Sequence, residues 1–266
     1  IRHYKTCWLL YDRYKMKIIA FLIPVYNDWE SLKILLKKID FEIENFQDCK
    51  FKLYIVNDAS NLERPKNFHL KNFENFKIFN MINNKGHARC NAFGLRYLSK
   101  NINKENFDNL IVMDSDGEDR PEEIKKLISK SLEDQSKSVV AKRIKRSEGF
   151  FFQSLYKIHK IITLIFTGKN INFGNYSCLL KKDIVLLAGK KSLWSSFSGT
   201  LKKYLISYNE VESERGLRYF GPSKMSLFNL LIHSFSIIGV FKYNVFFRSI
   251  LMTFALTIFY DYFYSF

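Results

Sequence analysis

The sequence predicts an α/β fold, a mostly parallel β-sheet covered by helices on both sides. Short, continuous apolar runs end abruptly at turn residues, as strands buried on both faces do. Segments with apolar residues at helical spacing lie between those runs. The alternation persists to about Arg143, which calls for βαβ crossovers and so for parallel pairing. At 266 residues and 47% hydrophobic, the chain has enough apolar material for one catalytic-sized domain with an appendage.

Residues 17–23 form the first expected strand, ended by Pro24. Asp28 stands where it can cap a helix on which Leu32, Leu35, Leu36 and Ile39 recur. Residues 51–56 read as a second strand that stops at Asn57-Asp58-Ala59-Ser60, and 61–76 as loop with room for a short helix. A third strand is expected over 77–82, a helix from His87 and a fourth strand over 110–113. Pro121 opens the next helix, with Glu122 and Glu123 in its positive first turn, where they complement the helix dipole as Asp119 does. A short fifth strand covers 138–141.

Beyond Arg143 the pattern changes to apolar helices over 150–166 and 226–241. The last segment has twelve uncharged residues, 249–260, fewer than the roughly 20 needed to cross a bilayer. It reads as part of a spanning helix, as an interfacial segment, or as a helix packed on the core. Residues 1–15 lack a signal-peptide pattern, and a strand pattern begins abruptly after Met16, so Met16 is the expected native start and 1–15 an upstream extension. The expected division is 16–224 for the catalytic domain and 225–266 for juxtamembrane and membrane-associated helices.

Lys and Arg number 42 against 26 Asp and Glu, a net charge of +16. This fits an anionic partner or a membrane surface, and equally a composition rich in Lys, Asn, Ile, Phe and Tyr together. Nucleic acid is disfavoured because the distinctive motifs are acidic or apolar, with no basic stripe interleaved with aromatics. Cysteines 7, 49, 90 and 178 have neither CxxC spacing nor a His partner, so no zinc site or disulfide framework is indicated, and a reducing compartment fits.

Against that basic background, LIVMDSDGEDRPEEI at 110–124 gathers six carboxylates directly after a strand. Asp114, Asp116 and Glu118 alternate, so an extended chain would project them to one side. Carboxylates so placed raise one another's pKa and call for a cation among them. Oxygen-only ligands favour Mg2+ or Mn2+, typically held by one or two carboxylates together with substrate phosphates. The alternative is a solvated acidic loop.

PVYND (24–28), VNDAS (56–60), NKGHARCNAFG (84–94), MDSDGEDRPEEI (113–124) and RYFGPSK (218–224) occur in this order, and the chain over about 17–241 resembles family-2 glycosyltransferases of the GT-A fold. Within them it is similar to the dolichyl-phosphate mannosyltransferase and bacterial polyprenyl-phosphate glycosyltransferase branch. The resemblance implies that Pro24, Tyr26 and Asp28 line a nucleotide pocket, that Asp58 accepts a hydrogen bond from the base, and that Gly86 and Asn91 pack against the donor. It implies metal binding by Asp116 and Glu118, with Asp114 near the ribose or the metal shell. Glu118 replaces a common Gln and adds a negative charge. Arg218, Ser223 and Lys224 fall on the phosphate-binding motif, with Gly221-Pro222 as a flexible step, and Arg143 matches a basic residue after the fifth strand. Gly174-Asn175-Tyr176-Ser177 departs from an acidic-and-Arg pattern in relatives, which leaves acceptor recognition open.

The implied activity is inverting, metal-dependent transfer of a sugar from a UDP- or GDP-linked donor to undecaprenyl or dolichyl phosphate. The expected location is the cytoplasmic face of the membrane, in the synthesis of cell-envelope glycans. A lipid phosphate needs no general base, since it is already largely dianionic at neutral pH. The alternatives are a family-2 enzyme using a glycan or lipid-linked oligosaccharide acceptor, and an inactive nucleotide-sugar-binding membrane scaffold.

Overall fold

A computed structural model describes residues 16–145, 150–221 and 227–264. The expectations for residues 1–15 and for Ser223 and Lys224 fall outside the described residues. The chain runs β1 (Lys17–Val25), α1 (Trp29–Ile43), β2 (Cys49–Asn57), β3 (Phe73–Asn80), α2 (His87–Lys100), the short α3 (Ile102–Glu105) and β4 (Asn109–Val112). It continues through α4 (Ile124–Glu133), β5 (Val139–Lys145), α5 (Phe150–Thr167), β6 (Phe173–Leu180), α6 (Lys181–Ala188), α7 (Phe197–Tyr204) and β7 (Asn209–Glu214). Helices α8 (Leu227–Val240) and α9 (Lys242–Tyr264) complete it.

The described strands form one sheet in the order β3-β2-β1-β4-β6-β5-β7. β1 pairs in parallel with β2 and β4, and β5 in parallel with β7, while β6 runs antiparallel between β4 and β5. Both faces are buried. Side chains of β1 such as Phe21 and Ile23 pack with α1 and α4, and Ala20 and Leu22 on the other face pack with α2, α6 and α7.

Several boundaries move. β1 continues through Pro24 to Val25 instead of stopping before it. The ladder to β4 ends at Leu22, so Pro24 lies beyond that partner, where the missing N–H breaks no pairing on that side. β3 begins at Phe73 rather than 77, with no helix over 61–72. β6 and β7 went unanticipated, because FGNYSCLL mixes small, polar and apolar residues and NEVESE is half charged. The C-terminal helix is longer than its uncharged core of twelve residues: α9 runs for 23 and buries none, so it does not pack on the core.

Gly94 of α2 sits over β1, and a Cβ there would lie 2.4 Å from Leu22 Cδ1. Contact this close between helix and strand requires glycine. Away from the carboxyl edge, buried Glu105 accepts hydrogen bonds from Tyr54 (2.8 Å), Tyr97 (2.7 Å) and Lys77 (2.6 Å), joining α3 to β2, β3 and α2. Burial acts to raise the Glu105 pKa, but the three donors outweigh it and hold the carboxyl below its ordinary value.

Gly94→Ala should destabilise the fold by about 1–3 kcal/mol through overpacking. That exceeds the gain of up to about 1 kcal/mol in helix propensity, so urea unfolding should show a net loss, partly recovered by adding Leu22→Val. Because its folded pKa is depressed, Glu105 contributes stability that is complete above the ordinary carboxyl pKa and lost as pH falls through the folded value. Glu105→Gln should therefore cost about 1–3 kcal/mol at pH 7 and flatten the fall in stability below the ordinary carboxyl pKa; an unchanged acid slope would contradict this account.

Candidate functional site

The carboxyl ends of β1, β2, β3 and β4 lie along one edge of the sheet, where open α/β sheets gather their ligands. Three turns leave that edge together. After β1, Asn27 takes a positive φ of 48°, and its Oδ1 accepts from the backbone N–H groups of Asn61 (3.0 Å) and Leu62 (3.2 Å). After β2, Asp58 is buried and its two carboxylate oxygens accept from the N–H groups of Lys85 and Gly86, each at 2.7 Å. Asp58 thus fixes the loop that leads into α2. Gly86 has φ +86°, which only glycine adopts readily, and the space beside its Cα is open. Tyr26 is exposed at this edge, whereas Pro24 is buried within β1. Asn91, one turn into α2 on the same face as His87, is fully buried and finds no hydrogen-bond partner for either side-chain atom among the described residues.

The acidic loop after β4 is not extended. Gly117 turns it at φ +89°, and the ring of Tyr219 lies 2.6 Å from where a Cβ on Gly117 would be. A strap of residues 215–220 crosses this loop through backbone bonds, Gly216 N to Glu118 O (2.9 Å) and Tyr219 N to Asp116 O (3.0 Å). A Cβ on Gly216 would lie 2.7 Å from Gly117 O, so the two backbones touch.

This crossing brings Arg218 onto the carboxylates. Its Nη1 donates to Asp116 Oδ2 (2.5 Å) and its Nη2 to Asp28 Oδ2 (3.1 Å), while the buried Nε meets no acceptor among the described residues. Asp28 precedes α1 but does not cap it with its side chain; its other oxygen accepts from Ser31 Oγ (2.5 Å). Arg215 donates to Glu118.

Asp114 has a different partner. β4 and β6 pair with Val112 opposite Ser177, so two residues further on Asp114 faces Asn175 on the same side of the sheet. Asn175 Nδ2 donates to Asp114 Oδ1 at 3.0 Å. Asp119 accepts from the Asp114 backbone N–H (3.0 Å) and lies 3.7 Å from Arg143, whose guanidinium crosses Gly174 where a side chain would collide with it. Burial, then Asp114, push Asp119 up to about 7 against the pull of Arg143. Burial, then Asp114 and Glu118, push Asp116 up to about 6 against Arg218.

Two expectations change. Asp119 and Glu123 are not solvated helix-dipole residues: both are buried, and Glu123 accepts from Ser213 Oγ (2.6 Å) and the Glu214 N–H (3.1 Å), which secures β7. Only Glu122 is a surface residue, paired with Lys38 at 3.7 Å. Nor do Asp114, Asp116 and Glu118 form a ready three-ligand cage; no three acidic, His or Cys side chains converge for a metal among the described residues. The turn at Gly117 and the two strap arginines draw Asp116 and Glu118 to separate partners.

The donor chemistry still fits a hard divalent cation held by one or two carboxylates and substrate phosphates. The ligands are oxygens only, and the carboxylates of Asp28, Asp114, Asp116, Glu118 and Asp119 outnumber the guanidinium groups of Arg143, Arg215 and Arg218 among them. Arg215, Asn175 and Tyr219 were missed as site residues. Two of them stand within the stretch SERGLRYFG, and only the strap and the β4–β6 register reveal what they touch.

The chain is similar to undecaprenyl-phosphate 4-deoxy-4-formamido-L-arabinose transferase of Proteus mirabilis (strain HI4320), 25% identical over 225 residues that cover 82% of this chain and 65% of that protein. The same-named enzyme of Photorhabdus laumondii is 24% identical over 234 residues, covering 82% and 66%. The chain thus spans about two thirds of the length of these relatives. Among solved structures, glucosyl-3-phosphoglycerate synthase from Mycobacterium tuberculosis with Mn2+, UDP-glucose and phosphoglyceric acid superposes with a TM-score of 0.62 at 12% identity, over 88% of this chain and 82% of that one. The same enzyme with Mg2+ and UDP gives 0.55, over 90% and 83%. These likenesses show the GT-A fold. The sequence model of glycosyl transferase family 2 matches residues 20–191, and the chain belongs to that family.

Proposed function

We propose that the chain transfers a sugar, with inversion, from a nucleotide-sugar donor to a polyprenyl phosphate at a membrane surface. The observation that carries this reading is the convergence of Arg218 on Asp116 and Asp28 at the carboxyl edge of the sheet. A guanidinium oriented by two carboxylates at this edge is positioned to meet diphosphate oxygens when they enter. Tyr26 and the open face beside Gly86 offer the neighbouring surface for the nucleotide.

Asp116, with Asp114 behind it, would hold Mg2+ or Mn2+, and Glu118 is the further candidate once Arg215 releases it. When bound, the metal neutralises charge that develops on the departing diphosphate. Arg218 serves the same leaving group, and Asp28 keeps its fork oriented. Ser223 and Lys224 would add donors from the same segment. Asn175 fixes the Asp114 carboxylate and, as an amide, takes no proton. None is required of it, because a phosphate monoester already arrives as a nucleophilic oxyanion.

The acceptor side of the reading rests on the unburied helices. α9 has 23 residues, with a mean hydropathy of 1.3 over its most apolar 18 and no buried side chain. At 1.5 Å per residue it is about 34 Å long in all, and the part after Arg248 is the segment that would enter the hydrocarbon. Lys242 and Arg248 lie near its start, on the side of the catalytic domain, as the positive-inside bias asks of a cytoplasmic face. Arg248 Nε donates to Ile165 O (2.7 Å), which ties the base of α9 to α5.

The test is a panel of UDP- and GDP-sugars offered with undecaprenyl phosphate, with and without Mn2+. One donor should yield a lipid-linked product only with metal, and Asp116→Asn and Arg218→Ala should each lower kcat by about 100-fold or more, as loss of a leaving-group contact does. Metal-free transfer retained by Asp116→Asn would remove the metal role. Product only on a glycan acceptor, or nucleotide binding with no transfer at all, would replace the lipid-phosphate reading.

A further inference from the structure

A belt of cations set against aromatic rings runs from α2 to α7. Arg89 and Arg96 of α2 hold their guanidinium carbons 5.9 and 5.3 Å from the ring centre of Trp194, the last residue of a 3-10 turn over Lys191–Trp194. Lys190, just before that turn, and Lys203 of α7 place their ammonium groups 4.8 and 5.5 Å from the ring of Tyr204. Beside them, Lys202 donates to the Tyr208 hydroxyl at 2.7 Å. The rings hold these cations in place without neutralising them. None has a carboxylate partner among the described residues, and neither α2 nor the stretch 186–208 contains an acidic residue.

The belt is joined to the foot of α9. Lys203 Nζ donates at 2.6 Å to the carbonyl of Val240, the last residue of α8, and lies 6.0 Å from the ring of Phe241, which precedes α9. A Cβ on Gly199 of α7 would lie 3.2 Å from Val240 Cγ2, so α7 and this corner are in contact. Lys242 opens α9 with its ammonium 5.1 Å from the ring of Tyr243. Leu186, Trp194 and Ile206 are exposed on the segments that carry the belt. Cations that reach for phosphates, with aromatic and aliphatic tips between them, make up a surface suited to the head-group level of a bilayer.

We infer that this belt is a docking surface for the head groups of anionic phospholipids, a second membrane contact beside α9. It rests on the reading of α9 as a membrane helix, and adds which face of the catalytic domain lies against the bilayer. α2 starts at the loop that Asp58 secures, with Arg89 in its first turn. A domain held by both contacts therefore keeps the carboxyl edge of the sheet at a fixed distance from the lipid. Nucleic acid is the other polyanion that such a belt could face, but its bases need open aromatic faces on which to stack. Trp194 and Tyr204 each already carry two cations, which leaves phosphate rather than base as the group to be met. No stripe of this kind is visible in the sequence, because α2, the turn, α7 and α9 supply only a few cations each.

The experiment uses the full chain in nanodiscs of phosphatidylcholine with a rising fraction of phosphatidylglycerol, the latter brominated on its acyl chains. Trp194 is read as the fluorescence that Trp194→Phe removes. Its emission should be quenched as phosphatidylglycerol is added and should recover when salt is raised, because salt screens contacts between exposed charges. In discs of brominated phosphatidylcholine alone it should stay unquenched. Arg89→Gln and Lys190→Gln should each lower the ratio of docked to undocked domain about fivefold, the effect of one Lys or Arg near an anionic surface.

Trp194 emission that ignores phosphatidylglycerol, in chains that have entered the discs, would overturn the inference and leave α9 as a membrane helix. Equal quenching in phosphatidylcholine alone, or quenching indifferent to salt and to both variants, would overturn the assignment to anionic head groups. Tighter binding of this surface to a single-stranded oligonucleotide, lost in Lys190→Gln, would put nucleic acid in place of the lipid. Chains that stay out of phosphatidylcholine discs, yet meet phosphatidylglycerol vesicles with salt-sensitive quenching of Trp194, would support the belt and defeat the membrane reading of α9. The two ideas thus fail separately.

Discussion

The arrangement depends on one charge balance, between an acidic loop folded back at Gly117 and the arginines of the strap that crosses it. Burial first, and then repulsion from neighbouring carboxylates, push Asp116 and Asp119 up the pH scale. Arg215 and Arg218 bring compensating charge from about a hundred residues away in sequence, and the backbone bonds at Gly216 and Tyr219 hold them there. The balance is incomplete, with acid still in excess. An excess of acid at such a site attracts a cation together with the anion it carries.

The sheet supplies the rigidity that makes such a balance specific. β1 is paired on both sides over Ile19–Leu22, and its two faces are packed by different helices, so this part of the strand is fixed from four directions. Gly94 over Leu22 lets α2 approach closely, and Asp58 secures the loop that leads into that helix. These residues need not touch a ligand to matter. They set the separation of the turns after β1, β2 and β4, and a displacement of about 1 Å at a reacting group is enough to slow a reaction severely.

Away from this edge the chain turns from polar to apolar without an intervening neutral surface. α5, α8 and α9 pack against one another and expose apolar side chains. Contiguous exposed apolar patches of this kind mark interaction surfaces.

The sequence by itself determined the parallel half of the sheet, the helices over its faces and the acidic loop after the fourth strand. Each of these is written in a local pattern: continuous apolar runs, helical spacing, or a short motif. It did not reveal that Asp119 and Glu123 are buried, that Asp58 is engaged by backbone, that Asn175 faces Asp114, or that His87 and His233 meet. Those facts depend on register between strands distant in sequence and on which helix crosses which. Pairing with β6 places Asn175, the strap places Arg215, and the approach of α8 to α2 places the histidines. The physical reason is that periodicity encodes which face of an element is apolar, whereas a polar residue's partner is chosen only when two such faces have packed and the remaining donors and acceptors must be satisfied.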